Sequence, residues 1–197
     1  MAQYMSRAQK GIGSNFRGAK SQLLVNRTVS QDCKTRHTYL CIAWINYKEV
    51  YDSVPQSWIL EHLEMYNIIR TLIDFIKNSM GLWTMLFCIG LNLLSQITTK
   101  NGNGYKFQSR ETINNLLYMD DIKLYARKER YINSLIHITR IYSNDTGMSF
   151  RLEKCGWMVS RRGKIITIKG GQTTRRQHCR FSGHLQIPWH PAGKWEP

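Results

Sequence analysis

The chain has 197 residues, enough for one folded domain and a tail, and its 42% hydrophobic and 11% aromatic residues exclude wholesale disorder. Twenty-eight Lys and Arg outnumber 13 Asp and Glu, and the formal net charge of +15 attracts polyanions, of which nucleic acid is the commonest. Five cysteines without a CxxC pair favour a reducing compartment, nuclear or cytoplasmic. We expect no signal peptide and no membrane association, because the N-terminus lacks an apolar stretch and residues 85–94 are too few to cross a bilayer.

The first half of the chain predicts a strand between helices. Residues 1–36 are basic and rich in glycine, and a short helix is expected to begin near Ser21. Residues 39–45 (YLCIAWI) are a short run of apolar, aromatic and β-branched types, which favours a buried strand. A proline three residues after Asp52 signals a helix start, and apolar residues at helical spacing follow it. A second amphipathic helix is expected over 72–80.

The second half of the chain alternates between helical and strand patterns. The apolar content of 85–97 indicates a mostly buried helix, and glycines beside asparagines in 100–110 indicate a turn or hairpin. A helical period returns over 129–144. Four segments have the pattern of short strands: 113–117, 122–126, 148–159 and 164–168. From about residue 170 no period is sustained, and an irregular tail is expected.

One motif in this half carries chemistry. Tyr118, Met119, Asp120 and Asp121 lie between two apolar strand-like segments, where an Asp-Asp pair favours a tight turn. Two adjacent carboxylates repel each other, and a magnesium ion, which prefers carboxylate and phosphate oxygens, relieves that repulsion. Such ions stabilise the attacking and leaving oxygens in phosphoryl transfer. The alternative is a solvated turn that binds no metal.

Several segments resemble reverse transcriptases of non-LTR (LINE-like) retrotransposons. LLYMDDIKLYA resembles the YxDD box of these enzymes, and INYKEVYDSVPQSWILEHLEMYNI resembles their first catalytic segment and the helix after it. LFCIGLNLLSQI, GMSFRLEKC and QKGIGSNFRGAKSQLL resemble the helix after the template-gripping loop, the segment after the catalytic turn and the fingers-side entry. The resemblance covers about residues 9–170, and the segments occur in the order of that family.

The resemblance implies an α+β fold, a remnant of a right-hand polymerase palm with partial fingers, in which a small antiparallel sheet has helices on one face. It implies RNA-directed DNA polymerase activity with Mg²⁺, an RNA template, a DNA primer and deoxynucleotides. Asp120 and Asp121 would be the catalytic metal ligands, and Tyr118 and Met119 would lie beside the primer end. Lys154 would lie near the phosphates of the incoming nucleotide, unless it is an ordinary surface cation.

The same resemblance suggests three parts of the chain. Residues 1–38 would be a basic, fingers-like N-terminal segment. Residues 39–170 would be a palm-like reverse transcriptase core that lacks the template-grip loop. Residues 171–197 would be an irregular basic tail.

The chain departs from the family at a residue that matters for catalysis. Asn46 stands where the family has the aspartate that supplies a third carboxylate to the metal site. Losing one unit charge beside a dication costs about 4–8 kcal/mol at an intermediate dielectric, which is about a thousandfold or more in rate. Asp52 is better placed to cap a helix than to replace that carboxylate.

Two further departures concern whole segments. No Gln-Gly-Asp loop for gripping the template occurs in the sequence, and the C-terminal PWHPAGKWEP replaces the primer-grip segment, which suggests a frameshifted tail. The expected function is therefore a catalytically impaired reverse transcriptase fragment, a pseudoenzyme. The alternatives are a non-catalytic basic nucleic-acid-binding protein and a translated relic without activity.

Overall fold

A computed structural model describes residues 19–48, 56–65, 69–71 and 83–169. Its helices are α1 (Ala19–Thr35), α2 (Gln56–Met65), α3 (Trp83–Lys100) and α4 (Glu129–Asp145). Its strands are β1 (Tyr39–Ile45), β2 (Tyr105–Lys106), β3 (Thr112–Ile113), β4 (Asn115–Tyr118), β5 (Asp121–Ala126), β6 (Gly156–Arg161) and β7 (Lys164–Lys169). The described part is therefore an α+β fold, as the sequence predicts.

Five of these strands form one antiparallel sheet in the order β4-β5-β1-β6-β7. The central strand β1 pairs with β5, with Ile45 opposite Ile122, and on its other side with β6, with Tyr39 opposite Arg161. Strands β2 and β3 form a separate two-stranded ribbon. This order brings the end of β1 next to the start of β5, which follows the YMDD turn.

Strand β1 is apolar throughout because both of its faces are covered. Cys41, Ala43 and Ile45 lie in a core with side chains of α3 and α4, while Leu40 and Ile42 lie in a second core with side chains of α1. The expectation of helices on one face of the sheet is therefore wrong, since α1 buries apolar residues against the opposite face. A strand buried on both faces loses the alternation of polar and apolar residues that marks a half-exposed strand.

Polar contacts fix α1 on its face of the sheet. The buried Tyr125 hydroxyl in β5 donates to Oδ1 of the buried Asn26 in α1. Near the other end of α1, Asp32 Oδ2 accepts hydrogen bonds from the Tyr105 hydroxyl at 2.6 Å and from Arg36 Nε at 2.9 Å. These bonds connect α1 to the sheet and to the β2–β3 ribbon.

Most predicted elements in the described ranges are present, with two differences in the strands. The predicted strand 113–117 is broken at Asn114, whose side-chain amide Nδ2 donates to the Thr98 carbonyl at 3.1 Å. Ile113 therefore ends β3 of the two-stranded ribbon, and Asn115 begins β4 of the five-stranded sheet. The predicted strand 148–159 begins only at Gly156, because the preceding residues instead form backbone hydrogen bonds with the residues that follow β1. The predicted short helix is the 17-residue α1. The predicted helix 72–80 and the tail 171–197 lie outside the described residues.

None of the described helices combines the length and apolar character that crossing a bilayer requires.

Candidate metal site at the β4–β5 turn

The YMDD motif forms the tight turn that the sequence predicts. Tyr118 and Asp121 are paired across β4 and β5, so Met119 and Asp120 are the two connecting residues. Met119 has a φ of 53°, in the left-handed region that disfavours side chains larger than glycine and costs about 1–2 kcal/mol. The turn thus places Asp120 and Asp121 in succession at the start of β5, with a backbone conformation that Met119 adopts at a cost.

Asn46 lies directly beside this turn. Because Ile45 is opposite Ile122, the residue after β1 is adjacent to the residue that begins β5. The Asn46 amide Nδ2 donates a hydrogen bond of 2.7 Å to Asp121 Oδ1. A carboxylate accepts but does not donate, so the amide nitrogen of Asn46 must be the atom that faces Asp121.

The backbone of Asn46 is held by the segment before β6. The Arg151 backbone N–H donates to the Asn46 backbone carbonyl at 2.8 Å, and the Asn46 backbone N–H donates to Cys155 Sγ at 3.3 Å. Burial raises the pKa of the Cys155 thiol to about 11, so this sulfur is a neutral partner at physiological pH. No role is predicted from the sequence for Arg151 or Cys155, although both lie in the GMSFRLEKC segment.

Asp120 lies in an environment that disfavours its charge. Partial burial raises its pKa above the ordinary aspartate value, and the neighbouring Asp121 carboxylate raises it further. Its own backbone amide, Arg151 and Lys154 lower the pKa but do not cancel the rise. Lys154 ends a single 3₁₀ turn, Leu152–Lys154, and is half-buried. Asp120 is therefore a carboxylate whose charge a further cation would stabilise.

A thiol of α3 lies beneath the turn. The buried Cys88 Sγ lies 3.9 Å from the Met119 carbonyl oxygen, within reach of a weak S–H hydrogen bond. Burial raises the pKa of this thiol to about 12, and the Asp120 charge contributes to the rise. Sequence reasoning predicted the helix but not this contact, which no local pattern in LFCIGLN reveals.

The predicted site residues thus meet at one end of the sheet. Asn46 contacts Asp121, and Lys154 acts on the charge of Asp120. Tyr118 and Met119 belong to the same turn and are half-buried. The structure thus brings these residues together, and Asp52 lies outside the described residues.

The donor set fits a divalent cation incompletely. Two carboxylates and one amide oxygen are hard oxygen ligands of the kind that magnesium prefers. Within the ranges that the structure describes, however, no three His, Cys, Asp or Glu side chains form a group that could hold a metal ion. With Asn46 beside Asp121, the turn has two of the three carboxylates that the resemblance implies.

No protein family model matches the sequence, and none of the curated proteins matches it at a significant level. The resemblance to reverse transcriptases is therefore one of motif segments alone.

Proposed function

We propose that this chain is a fragment of a retrotransposon reverse transcriptase, a palm remnant whose magnesium site is impaired by Asn46. The observation that supports it best is the 2.7 Å hydrogen bond between Asn46 and Asp121. In the resemblance, these positions carry two of the three carboxylates that bind metal. A solvated Asp-Asp turn would not need the end of another strand beside it.

The separation of these residues in sequence strengthens this proposal. Asn46 and Asp121 are 75 positions apart, and Asn46 and Cys155 are 109 apart. The fold thus brings together one residue from each of three segments that the resemblance identifies separately: Asn46 of INYKEVYDS, Asp121 of LLYMDDIKLYA and Cys155 of GMSFRLEKC. They meet as the parts of a polymerase site would.

Each residue has a distinct role in this proposal. Asp120 and Asp121 would hold the metal, which when bound would stabilise the charge on the primer hydroxyl and on the phosphates. Lys154 would contribute positive charge for a nucleotide phosphate. Asn46 supplies an amide oxygen at most, and its nitrogen instead donates a hydrogen bond that stabilises the charged form of Asp121. Metal affinity should therefore be weak.

The first experiment restores the third carboxylate. Asn46→Asp replaces a donor–acceptor pair with two facing carboxylates, so in EDTA it should lower the free energy of unfolding by about 1 kcal/mol after solvent screening. Millimolar Mg²⁺ should reverse this loss, because a cation turns the repulsion into ligation. The measurement is urea unfolding of the full chain with and without Mg²⁺. Asn101→Asp makes the same chemical change at an exposed position just after α3, where neither sequence neighbour is acidic, and should show no Mg²⁺ dependence.

The second experiment measures the activity. Wild-type protein should extend a DNA primer on an RNA template weakly or not at all, and Asn46→Asp should increase Mg²⁺-dependent extension at least about tenfold. Adding Asp120→Asn to that variant should abolish the gain. If Mg²⁺ stabilises Asn46→Asp no more than Asn101→Asp, the proposed metal site is wrong, whatever the extension assay gives.

A further inference from the structure

A distinct surface lies where three neighbouring strands of the sheet begin or end, on the side away from the YMDD turn. It is formed by the start of β1 at Tyr39, the end of β5 at Ala126 and the end of β6 at Arg161. Six residue steps along β1 separate this edge from the turn, about 20 Å at 3.3 Å per residue. We call this surface the distal edge, and any ligand there would be separate from the candidate metal site.

A groove with an estimated volume of about 420 Å³ lies at the distal edge. Its lining residues are Thr38, Tyr39, Cys41, Arg127, Lys128 and Glu129. Tyr39 is 44% exposed, so its ring is accessible at the start of β1. Burial raises the pKa of the Cys41 thiol to about 12, so Cys41 is an uncharged part of the groove. The groove therefore combines an open ring and a neutral thiol with cations.

Cations also lie over aromatic rings along this edge. The Arg161 guanidinium carbon is 5.0 Å from the centroid of the Tyr39 ring, and Arg130 and Lys128 approach the Tyr131 ring at 4.8 and 6.0 Å. These distances are within the range of cation–π attraction. The exposed cations of the edge are Arg127, Lys128, Arg130, Arg161 and Arg162, whereas Glu129 is the one carboxylate among the groove residues.

We propose that the distal edge binds single-stranded nucleic acid, with a base stacked at Tyr39 and phosphates paired with Arg127, Lys128 and Arg161. An exposed aromatic ring beside several cations matches a strand that presents base faces and phosphates in turn. A duplex hides its base faces, so it would leave Tyr39 unused. An acidic peptide would pair with the cations but would have no base to stack on the ring. The proposal does not depend on the metal site and would survive its failure.

The binding test uses the full chain and a fluorescein-labelled 20-nucleotide oligo(U), followed by fluorescence anisotropy at several NaCl concentrations. Tyr39→Leu should weaken binding about tenfold with an unchanged salt slope, because base stacking is lost while the phosphate contacts remain. Tyr39→Phe retains the ring and should bind like the wild type. This pair separates stacking from general damage to the fold.

The charge contribution is tested by two matched triple variants. Arg127→Gln, Lys128→Gln and Arg161→Gln together should reduce the slope of log K against log salt by about 2, since each single-strand phosphate contact contributes about 0.7. Lys20→Gln, Arg27→Gln and Arg140→Gln remove the same charge from α1 and α4, at positions that do not line the groove, and should leave the slope unchanged. Urea unfolding of every variant checks that the fold is retained.

Four results would overturn the proposal. They are equal losses in the two triple variants, no effect of Tyr39→Leu, binding of a duplex as tight as that of oligo(U), and equally tight, Tyr39-dependent binding of polyglutamate or phosphatidylserine vesicles. The first would mean that affinity comes from net charge alone. The last would make the distal edge a general polyanion surface.

Discussion

Two glycines with nearly the same backbone conformation have different surroundings. Gly102 has a φ of 71° and Gly163 a φ of 74°. A Cβ built on Gly102 meets nothing within 4 Å, whereas one on Gly163 would lie 2.7 Å from Lys34 Cγ and 3.1 Å from Lys34 Cα. The β6–β7 turn at Arg162 and Gly163, with positive φ at both residues as in a type I′ turn, therefore lies tightly against α1.

This difference gives a paired prediction. Gly102→Ala should lower the free energy of unfolding by about 1 kcal/mol, the cost of a left-handed backbone. Gly163→Ala should cost about 2–3 kcal/mol, because the same strain is joined by a clash with the Lys34 backbone that a side-chain rotation cannot relieve. Urea unfolding of both variants measures the difference. Equal losses would mean that the β6–β7 turn does not contact α1 in solution.

Asp32 predicts how stability depends on pH. Burial raises its pKa, but the hydrogen bonds from Tyr105 and Arg36 outweigh burial, and the pKa lies below the ordinary value. The unfolded chain therefore binds a proton at higher pH than the folded chain does. The stability that Asp32 contributes is fully present above about pH 4, near the unfolded pKa, and is lost as pH falls through the lower folded pKa.

Asp32→Asn should therefore be less stable than the wild type at pH 7 by about 1–2 kcal/mol, the value of a hydrogen bond to a charged group. The gap should shrink below about pH 4 as the wild-type carboxylate is protonated. Urea unfolding across this range measures it. Arg36→Gln should reduce the pH dependence without abolishing it, because the Tyr105 hydroxyl still donates to Asp32. A gap that is constant with pH would contradict the assignment.

At the scale of elements, the sequence predicts those helices and strands whose formation depends on the pattern of residues within the segment itself. YLCIAWI has the length and composition of a buried strand and is β1 from Tyr39 to Ile45, and the helix predicted over 129–144 is α4. The segment before Gly156 could not be predicted in the same way. Its apolar residues suggest a strand, but its backbone is bound by residues about a hundred positions earlier, through Arg151 to Asn46 and Lys48 to Ser149.

In the candidate site, too, local features could be predicted from the sequence and contacts between distant segments could not. The YMDD turn could be predicted because an Asp-Asp pair between two strand patterns is local, and the position of Asn46 could be predicted from the resemblance. The contacts of Cys88 and Cys155 could not, since they depend on how α3 and the segment before β6 pack against the sheet.

The packing of α4 gives a prediction at this scale. Leu135 is fully buried between α4 and the sheet, whereas Leu24 of α1 is 66% exposed. Leu135→Ala should lower the free energy of unfolding by about 2–5 kcal/mol through lost burial and the cavity left behind. Leu24→Ala, the same chemical change, should stay within about 0.5 kcal/mol. If both variants lose similar stability in urea, α4 does not pack on the sheet as described.

Over the whole molecule, charge is separated along the sheet. The paired carboxylates Asp120 and Asp121 lie at one end of β5, and the cations of the distal edge lie at the other. The excess of cations over the chain makes the folded state repel itself, because folding brings like charges closer than they lie in the unfolded chain. Each proposed ligand has the opposite charge to its site: Mg²⁺ would reduce the repulsion between the carboxylates, and nucleic acid would reduce the repulsion between the cations.

The self-repulsion predicts that salt stabilises this protein. Raising NaCl from about 20 to 200 mM shortens the Debye length from about 20 Å to about 7 Å and should raise the free energy of unfolding by about 1 kcal/mol. Urea is uncharged, so urea unfolding can be followed while ionic strength is varied. Screening saturates, so the rise should flatten above about 0.3 M, whereas a general salt effect on apolar burial would continue to about 1 M. Stability that falls with salt would mean that attractive pairs such as Asp32 and Arg36 outweigh the net positive charge.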